Sequence, residues 1–452
     1  MLTIAGKKIL IDAGLFQGPK EARARNWLAT KQEIKEIEFL FLTHAHLDHS
    51  GFIPRLYKDG FTGKVLCTPG TQALARLILM DAGYLEEEHA KFANAAGYSR
   101  HKPAFPLFTL EDAKEAMKIF QPFTRNKWRE FSPGLSFRFL RAGHIIGASM
   151  VQFHAMEQDK SFVVTFSGDI GHDRSRTMKG PARVLETDIL VLESTYGGRL
   201  HDRQDNLDIL ARHINHIVST KGSLLIPSFA VGRAQDIIFH IKVLEDMGKI
   251  PKIPVYLDSP MANEATAIFQ RLSDDQKTGD SFNPEHGFTP SKFQSTTSAS
   301  ESRALSVKDG PIIIISSSGM LTGGRVLHHL KEKISHSQNM VLFTGYQAEG
   351  TKGRWLQDNK DAKKIRIHKE EIDIKAQIET LDGLSAHADY QDMIDWLSLM
   401  AKPPKTIILN HGAPKAQKAF AEKIIKELGI PTLCSCDNPH IDLLKIAKQI
   451  DG

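Results

Sequence analysis

The stretch Thr43-His44-Ala45-His46-Leu47-Asp48-His49-Ser50-Gly51 carries four residues of the metal-ligand type within six positions. It follows an apolar run that predicts a strand, so His44 and His46 are two apart at a strand end and point to the same side. Asp48 and His49 come next, in the turn, and can reach a second point. Zinc binds histidine nitrogens and carboxylate oxygens at about 2.0–2.2 Å. The stretch therefore predicts the start of two metal sites; the alternative is a polar loop with histidines by chance.

Two further predicted strands end in residues that can bind a metal. Arg141-Ala142-Gly143-His144 offers one histidine, and Ser167-Gly168-Asp169-Ile170-Gly171 offers one carboxylate. An isolated histidine or aspartate at a strand end is more often a turn residue. Their order after the histidine-rich stretch favours metal binding by His144 and Asp169.

The composition of the chain is that of an ordinary globular protein. It has 452 residues, 41% hydrophobic and 25% charged, which predicts two to three domains with an ample core. The longest purely apolar runs are far below the roughly 20 residues that span a bilayer. Three cysteines cannot form a disulfide framework, and we see no leader segment. We therefore expect a cytoplasmic protein without a membrane partner. The net charge of +5 permits a polyanionic partner without requiring one.

From about residue 198, predicted strands alternate with predicted helices. Residues 206–219 show the apolar spacing of a half-buried helix. The strands 223–227, 253–257 and 312–315 follow, with helices predicted from about Ala234 and Asn263. This β-α-β order predicts a mostly parallel sheet, with functional loops at the carboxyl ends of its strands. The chain reads as α/β throughout.

These motifs, in this order, resemble the metal-binding motifs of the metallo-β-lactamase fold. Three later segments look like the signature motifs of its β-CASP nuclease branch: Leu192-Glu193-Ser194-Thr195-Tyr196-Gly197, Leu384-Ser385-Ala386-His387-Ala388-Asp389-Tyr390 and Leu409-Asn410-His411-Gly412. Two more are similar to other stretches of that branch: Leu257-Asp258-Ser259-Pro260-Met261-Ala262 and Gly319-Met320-Leu321-Thr322-Gly323-Gly324-Arg325. The resemblance covers nearly the whole chain. It is to bacterial and archaeal RNA-processing exo- and endonucleases akin to the nuclease that cleaves eukaryotic pre-mRNA at its 3′ end.

The resemblance implies a metallo-β-lactamase αββα sandwich with an inserted β-CASP α/β domain. The sandwich would comprise residues 1–197 and 376–452, and the inserted domain residues 198–375, with the active site in the cleft between them. Family members usually open with an additional strand and a Thr-Gly-Ser loop. Because Met1 stands only about ten residues before Ile11-Asp12-Ala13-Gly14, we expect that first strand to be absent.

The resemblance also implies two zinc ions. One would be held by His44, His46 and His144, the other by Asp48, His49 and His411, and Asp169 would bridge them. Two cations about 3.5–4 Å apart activate a water and clamp a phosphodiester for in-line attack.

Further roles follow from the signature motifs. By resemblance, His387 approaches the scissile phosphate and stabilises charge or protonates the leaving oxygen; alternatively it is a packed histidine at a helix start. Glu193 would orient a histidine of the cluster, most plausibly His387, unless it is a turn carboxylate. Asp12 would brace the metal loops. The residues expected to act in catalysis are Asp48, Asp169, Glu193 and His387.

The predicted contacts with substrate rest on weaker signals. Ser317, Ser318 and Gly319 follow a predicted strand where amides and hydroxyls can bind phosphate, and Arg233 is a candidate for a forked contact. Lys127-Trp128-Arg129 is either a base-stacking pair or a solvated face. His328 and His329 lie in a helical context, where contact with RNA is an open alternative.

We therefore expect a zinc-dependent ribonuclease that hydrolyses phosphodiester bonds of single-stranded RNA, as an endonuclease, a 5′→3′ exonuclease or both. Two alternatives stay open: a catalytically impaired RNA-binding or scaffold paralogue, and a β-CASP hydrolase acting on DNA. A homodimer is possible.

Overall fold

The structure, a computed structural model, describes residues 1–18, 20–28, 34–97, 102–157, 160–201, 206–277, 287–438, 440–443 and 446. The chain divides into two compact units. The first comprises Met1–Leu200 and His387–Gly452, and the second comprises His201–Ala386. In the described part of the chain, no helix is both long and apolar enough to cross a bilayer.

The first unit contains two β-sheets. The five-stranded sheet has its strands in chain order: Leu2–Ile4, Lys7–Ile11, Phe39–Phe41, Lys64–Cys67 and Phe120–Pro122. The seven-stranded sheet has the order Thr432–Cys434, Thr406–Asn410, Ile189–Glu193, Lys160–Phe166, Ser149–Glu157, Leu135–Arg141 and Arg129–Ser132. The described α-helices of this unit are Lys20–Ala24, Leu47–Ser50, Ile53–Lys58, Pro69–Ala96, Leu110–Ala116, Tyr390–Ser398 and Pro414–Leu428.

These two sheets pack face to face through an aromatic core. The Phe41 ring of one sheet meets Phe137 and Phe153 of the other edge-on, at centroid distances of 4.9 and 4.8 Å. All three rings are buried in one cluster of apolar side chains from both sheets. The predicted sandwich is therefore confirmed, and the core between the sheets supports the loops at the strand ends.

The second unit is built on a six-stranded parallel sheet. Its strands have the order Phe293–Ser295, Val255–Asp258, Ile312–Ser316, Ser223–Pro227, Met340–Phe343 and Gln377–Thr380. A separate hairpin joins Lys364–Ile367 and Glu370–Asp373. The described α-helices are Asn206–Thr220, Arg233–Asp246, Pro260–Arg271, Ala299–Ser306, Arg325–Lys333 and Lys352–Asp358. The β-α-β order predicted from the sequence is confirmed.

Some boundaries differ from the sequence prediction. The helix predicted from Asn263 begins at Pro260, because the Ser259 side chain accepts a hydrogen bond from the Ala262 amide and caps it. The strand Gln377–Thr380, which we assigned to the last segment, pairs with Met340–Phe343 and so lies in the second unit.

Near the amino terminus, a short strand precedes Lys7–Ile11. Leu2–Ile4 pairs with it in an antiparallel hairpin, and its alternating residues Leu2 and Ile4 are buried in the core between the sheets. Three residues give too short a pattern to be recognised as a strand from sequence.

Candidate metal centre and active site

Hydrogen bonds between loops bring the predicted metal ligands to one edge of the sandwich. His44 and His46 follow the strand Phe39–Phe41, whereas His144 and Asp169 follow two strands of the other sheet. The Ser149 amide donates to the Thr43 carbonyl at 2.9 Å, and the Gly171 amide donates to the Ala142 carbonyl at 2.9 Å. These bonds join backbone atoms, so they fix the three loops against one another independently of the side chains.

The first group of ligands is buried and converges on one point. His46 Nδ1 lies 3.1 Å from His44 Nε2 and 3.2 Å from His144 Nε2. Asp169 Oδ2 lies 3.3 Å from His44 Nε2 and 3.6 Å from His144 Nε2. The donor atoms of these four residues lie within 4.8 Å of one another.

The second group shares Asp169 with the first. His49 Nε2 lies 3.2 Å from His411 Nε2, and Asp48 Oδ2 lies 3.7 Å from the same His411 nitrogen. The other oxygen of Asp169, Oδ1, lies 3.3 Å from His49 Nε2 and 3.2 Å from His411 Nδ1. The two carboxylate oxygens of Asp169 thus face different groups of donors.

The spacing of the donors suits a metal ion. Four ligands placed tetrahedrally at about 2.0–2.1 Å from zinc are about 3.3–3.4 Å apart, close to the distances within both groups. Asp169 Oδ1 is buried and, among the described residues, has no partner in hydrogen-bond geometry. A buried carboxylate oxygen normally has a partner. The residues present therefore fit a metal centre.

Asp12 and Thr43 hold two of these histidines in the orientation that a metal needs. Asp12 accepts hydrogen bonds from the Thr43 amide at 2.7 Å and the Thr43 hydroxyl at 2.8 Å. Its Oδ2 atom also lies 2.7 Å from His49 Nδ1, and Thr43 Oγ1 lies 3.1 Å from His44 Nδ1. With these Nδ1 atoms occupied, both Nε2 atoms are available to a metal. The sequence analysis missed Thr43, whose only signal was a hydroxyl beside the first histidine.

Burial keeps the three histidines of the first group neutral. It lowers the pKa of His46 to about 3 and also lowers the pKa values of His44 and His144. Only a neutral imidazole has a lone pair to give to a metal. These three rings are therefore in the protonation state of ligands.

The second group lies where positive charge is favoured. The Asp169 carboxylate raises the pKa of His411 to about 9. Burial lowers the pKa of His49, but the carboxylates of Asp169 and Asp12 outweigh burial and raise it well above its ordinary value. A potential that stabilises a proton on these rings also attracts a metal cation.

Glu193 and His387 form a pair beside the first group. His387 Nδ1 lies 3.0 Å from Glu193 Oε1, and His387 Nε2 lies 3.9 Å from Asp169 Oδ2. Glu193 is buried, and its Oε1 atom also accepts a hydrogen bond from the Ile170 amide at 2.7 Å. Burial lowers the pKa of His387, but the carboxylates of Glu193 and Asp169 outweigh burial and raise it. This arrangement suits a side chain that holds a proton.

The predicted phosphate contacts lie in the second unit. Ser318 Oγ lies 2.8 Å from Thr322 Oγ1. The Gly319 carbonyl accepts a hydrogen bond at 2.9 Å from the side-chain nitrogen Nε2 of the buried Gln347. Ser317 is half-buried at the end of Ile312–Ser316. Arg233 is buried, with 8% of its surface exposed, at the start of its helix.

His329 corrects one open alternative. It is fully buried, its Nε2 atom lies 2.6 Å from Asp258 Oδ2, and its Nδ1 atom lies 3.0 Å from Ser306 Oγ. It therefore packs inside the second unit and does not offer a contact to RNA. The helical context of the sequence was real, but the ring lies on the inward face of the helix.

Comparisons with known proteins cover both units. The model of the metallo-beta-lactamase superfamily matches residues 1–208, that of the Beta-Casp domain matches residues 234–356, and that of the Zn-dependent metallo-hydrolase RNA specificity domain matches residues 371–435. Ribonuclease TTHA0252 of Thermus thermophilus is 33% identical over 91% of this chain and 89% of its own length. Transcription termination factor FttA of a Lokiarchaeum species is 30% identical over 97% of this chain and 68% of its own length. The FttA of Methanocaldococcus jannaschii is 31% identical, and the chain spans 65% of its length.

Proposed function

Since the chain belongs to the β-CASP branch of the metallo-β-lactamase superfamily, whose members are metal-dependent hydrolases, we propose that it is a zinc-dependent ribonuclease. It hydrolyses phosphodiester bonds of single-stranded RNA, as an endonuclease, a 5′→3′ exonuclease or both. The observation that carries this proposal is the position of Asp169, whose two oxygens face two separate groups of histidine and aspartate donors. One carboxylate shared in this way suits two cations held close together.

The proposal assigns two zinc ions to the seven donors. The first would be held by His44, His46 and His144 and the second by Asp48, His49 and His411, and Asp169 would serve both groups. When bound, the ions supply positive charge opposite the phosphodiester and lower the pKa of the attacking water. The chain contributes a rigid set of donors, because Asp12 and Thr43 hold the rings by their other nitrogens.

His387 is the proposed source of the proton for the leaving oxygen. Glu193 accepts a hydrogen bond from its Nδ1 atom, so the Nε2 atom faces the ligands and carries the proton that is given up. The carboxylates of Glu193 and Asp169 outweigh burial and raise the pKa of His387, which favours the protonated ring that a general acid requires. Glu193 acts through His387 and is therefore a positioning residue.

Contacts with the RNA backbone are proposed for Ser317, Ser318, Gly319 and Arg233. The bond between Gly319 and Gln347 holds the first three in a defined loop at the carboxyl end of a parallel strand, where ligands commonly bind. Arg233 is the weakest of the four, because its guanidinium is largely buried.

The choice of RNA over DNA is supported by the similarity to the Thermus ribonuclease and by the matched RNA specificity domain. An RNA substrate is also the reason to propose a cytoplasmic location. A homodimer stays a prediction.

A time course of RNA cleavage tests the proposal. Single-stranded RNA with a 5′ monophosphate and a 3′ label is incubated with zinc and either the wild-type chain or Asp169→Asn, beside a DNA oligomer of the same sequence. We expect the wild type to cut RNA and the variant to be inactive. A ladder that shortens from the 5′ end indicates exonuclease action, whereas discrete internal fragments indicate endonuclease action.

Other outcomes separate the alternatives. Equal or faster cleavage of DNA would contradict the RNA assignment. If the wild type binds RNA but contains no zinc after saturation and cuts neither oligomer, the chain is a binding or scaffold paralogue and the proposed activity is wrong.

A further inference from the structure

Two exposed aromatic rings, Phe16 and Trp27, flank the short helix Lys20–Ala24 in the segment that follows Asp12. Phe16 is 42% exposed and Trp27 is 52% exposed. Asn26 closes the loop between them. Its side-chain oxygen accepts a hydrogen bond from the Phe16 amide at 2.9 Å, and its side-chain nitrogen donates to the Phe16 carbonyl at 3.0 Å. These two hydrogen bonds hold Asn26, the neighbour of Trp27, against the backbone of Phe16.

Arginine side chains lie against both rings. The guanidinium carbon of Arg25 is 4.0 Å from the centroid of the Phe16 ring, and that of Arg55 is 5.7 Å from the Trp27 ring. Arg55 is itself anchored, because it donates to Asp59 at 2.7 Å. A guanidinium covers only one face of a ring, so an exposed ring keeps surface for a further planar group.

Hydrogen bonds join the start of this segment directly to residues 44–49, which carry four of the proposed metal ligands. The Ala13 amide donates to the His49 carbonyl at 2.7 Å, and the Leu15 amide donates to the Leu47 carbonyl at 3.0 Å. Between them the chain touches Asp48 so closely that a Cβ atom on Gly14 would lie 1.5 Å from the Asp48 carbonyl oxygen. Phe16 is the next residue after this contact and so begins beside the candidate metal centre.

We propose that Phe16 and Trp27, with Arg25 and Arg55 behind them, form a stacking platform for unpaired bases of the RNA substrate. This inference rests on the proposed function and adds a binding site to it. Every base has a face that can stack on an aromatic ring, and arginine attracts the neighbouring phosphates. Only a single strand exposes its base faces, so the platform favours single-stranded over duplex RNA beside the metal centre.

The test compares two substrates and three variants of the full chain. The substrates are a single-stranded RNA and an oligomer of the same length in which every nucleotide is abasic, so that the phosphodiester backbone is kept without any aromatic group. The variants are Phe16→Ala, Trp27→Ala and, as a control, Phe105→Ala. Phe105 is 69% exposed and lies in the same unit, and no contact with RNA is assigned to it.

Removing one stacked base costs roughly tenfold in affinity, within the range measured for such contacts. We therefore expect the ratio of kcat/KM for RNA to kcat/KM for the abasic oligomer to fall about tenfold in Phe16→Ala and in Trp27→Ala, and to be unchanged in Phe105→Ala. An unchanged ratio in both platform variants, or an equal fall in Phe105→Ala, would overturn the proposal. A wild type that hydrolyses neither substrate contradicts the proposed function instead.

RNA affinity, measured by fluorescence anisotropy, tests the platform without turnover. Abasic nucleotides are placed one at a time along the RNA. At the stacked position we expect an abasic site to weaken RNA binding to the wild type about tenfold. In Trp27→Ala, the same abasic site should cause no further loss of RNA affinity. Losses that multiply at every position would show that Trp27 and the bases act independently. If RNA binding is unchanged but the variants alter the molar mass in light scattering, these rings belong to a protein interface and the inference is wrong.

Discussion

Glu193 Oε1 lies 3.0 Å from His387 Nδ1, although the two residues are 194 positions apart in the chain. The same oxygen accepts the amide of Ile170, the neighbour of Asp169. Glu193 therefore connects the loop of the shared carboxylate to the ring of His387 and determines which nitrogen of that ring faces the metal ligands.

Glu193→Gln removes the charge but keeps the shape of this side chain. The Glu193 carboxylate helps to raise the pKa of His387, so its loss lowers that pKa. A general acid works only below its pKa, so the alkaline limb of the kcat profile should move to lower pH. We also expect kcat to fall about 10- to 100-fold. The measurement is a pH series of RNA cleavage, and an alkaline limb that stays in place or moves upward would contradict the assigned role.

His387→Ala should retain zinc and lose rate. His387 is placed outside the seven donors, so its removal takes away a proton donor and no ligand. We expect kcat to fall about 100- to 10,000-fold with the zinc content unchanged. His336→Ala, at an exposed histidine of the second unit, is the control and should keep its rate. Loss of zinc in His387→Ala would show that the ring is a ligand.

Thr43→Val tests whether the hydroxyl behind the first histidine holds the centre together. The hydroxyl donates to Asp12 and lies 3.1 Å from His44 Nδ1. Valine has nearly the same shape but no hydroxyl, so we expect zinc affinity to fall about 10- to 100-fold. Thr43→Ser restores the hydroxyl and should restore most of that affinity. Equal zinc affinity in the valine variant and the wild type would refute this role.

Phe41→Ala tests the core that supports the metal loops. Phe41 is fully buried between Phe137 and Phe153 of the opposite sheet. Replacing such a ring with alanine costs about 3–5 kcal/mol of unfolding free energy. Thermal unfolding of the full chain should show that the unfolding temperature of the first unit falls clearly. Phe105→Ala, at a ring that is 69% exposed, should leave that temperature unchanged.

Much of the fold could be predicted from the sequence because the ligand motifs directly follow strands with a clear apolar pattern. The donors His44, His144 and Asp169 each follow a recognisable apolar run, so their order along the chain indicated how they would meet. The parallel sheet of the second unit was equally clear. Residues 312–315 are almost continuously apolar, as expected for a strand covered on both sides.

Other features depend on contacts that no local pattern encodes. Leu2–Ile4 is a strand only because it pairs with Lys7–Ile11. Gln377–Thr380 joins the second unit through its pairing with Met340–Phe343. The helical pattern around His329 left contact with RNA open, because it does not encode the contact with Asp258 that holds the ring inside the second unit.

The central claim is a centre of two zinc ions that share Asp169. The zinc content of the wild-type chain and of Asp169→Asn tests it most directly. Both proteins are saturated with zinc, freed of excess metal by gel filtration and analysed by mass spectrometry, with circular dichroism as the check on folding. The account predicts two zinc ions per wild-type chain, and fewer in a variant that is still folded. A folded Asp169→Asn chain that keeps both ions, or a wild type that cuts RNA with fewer than two, would contradict it.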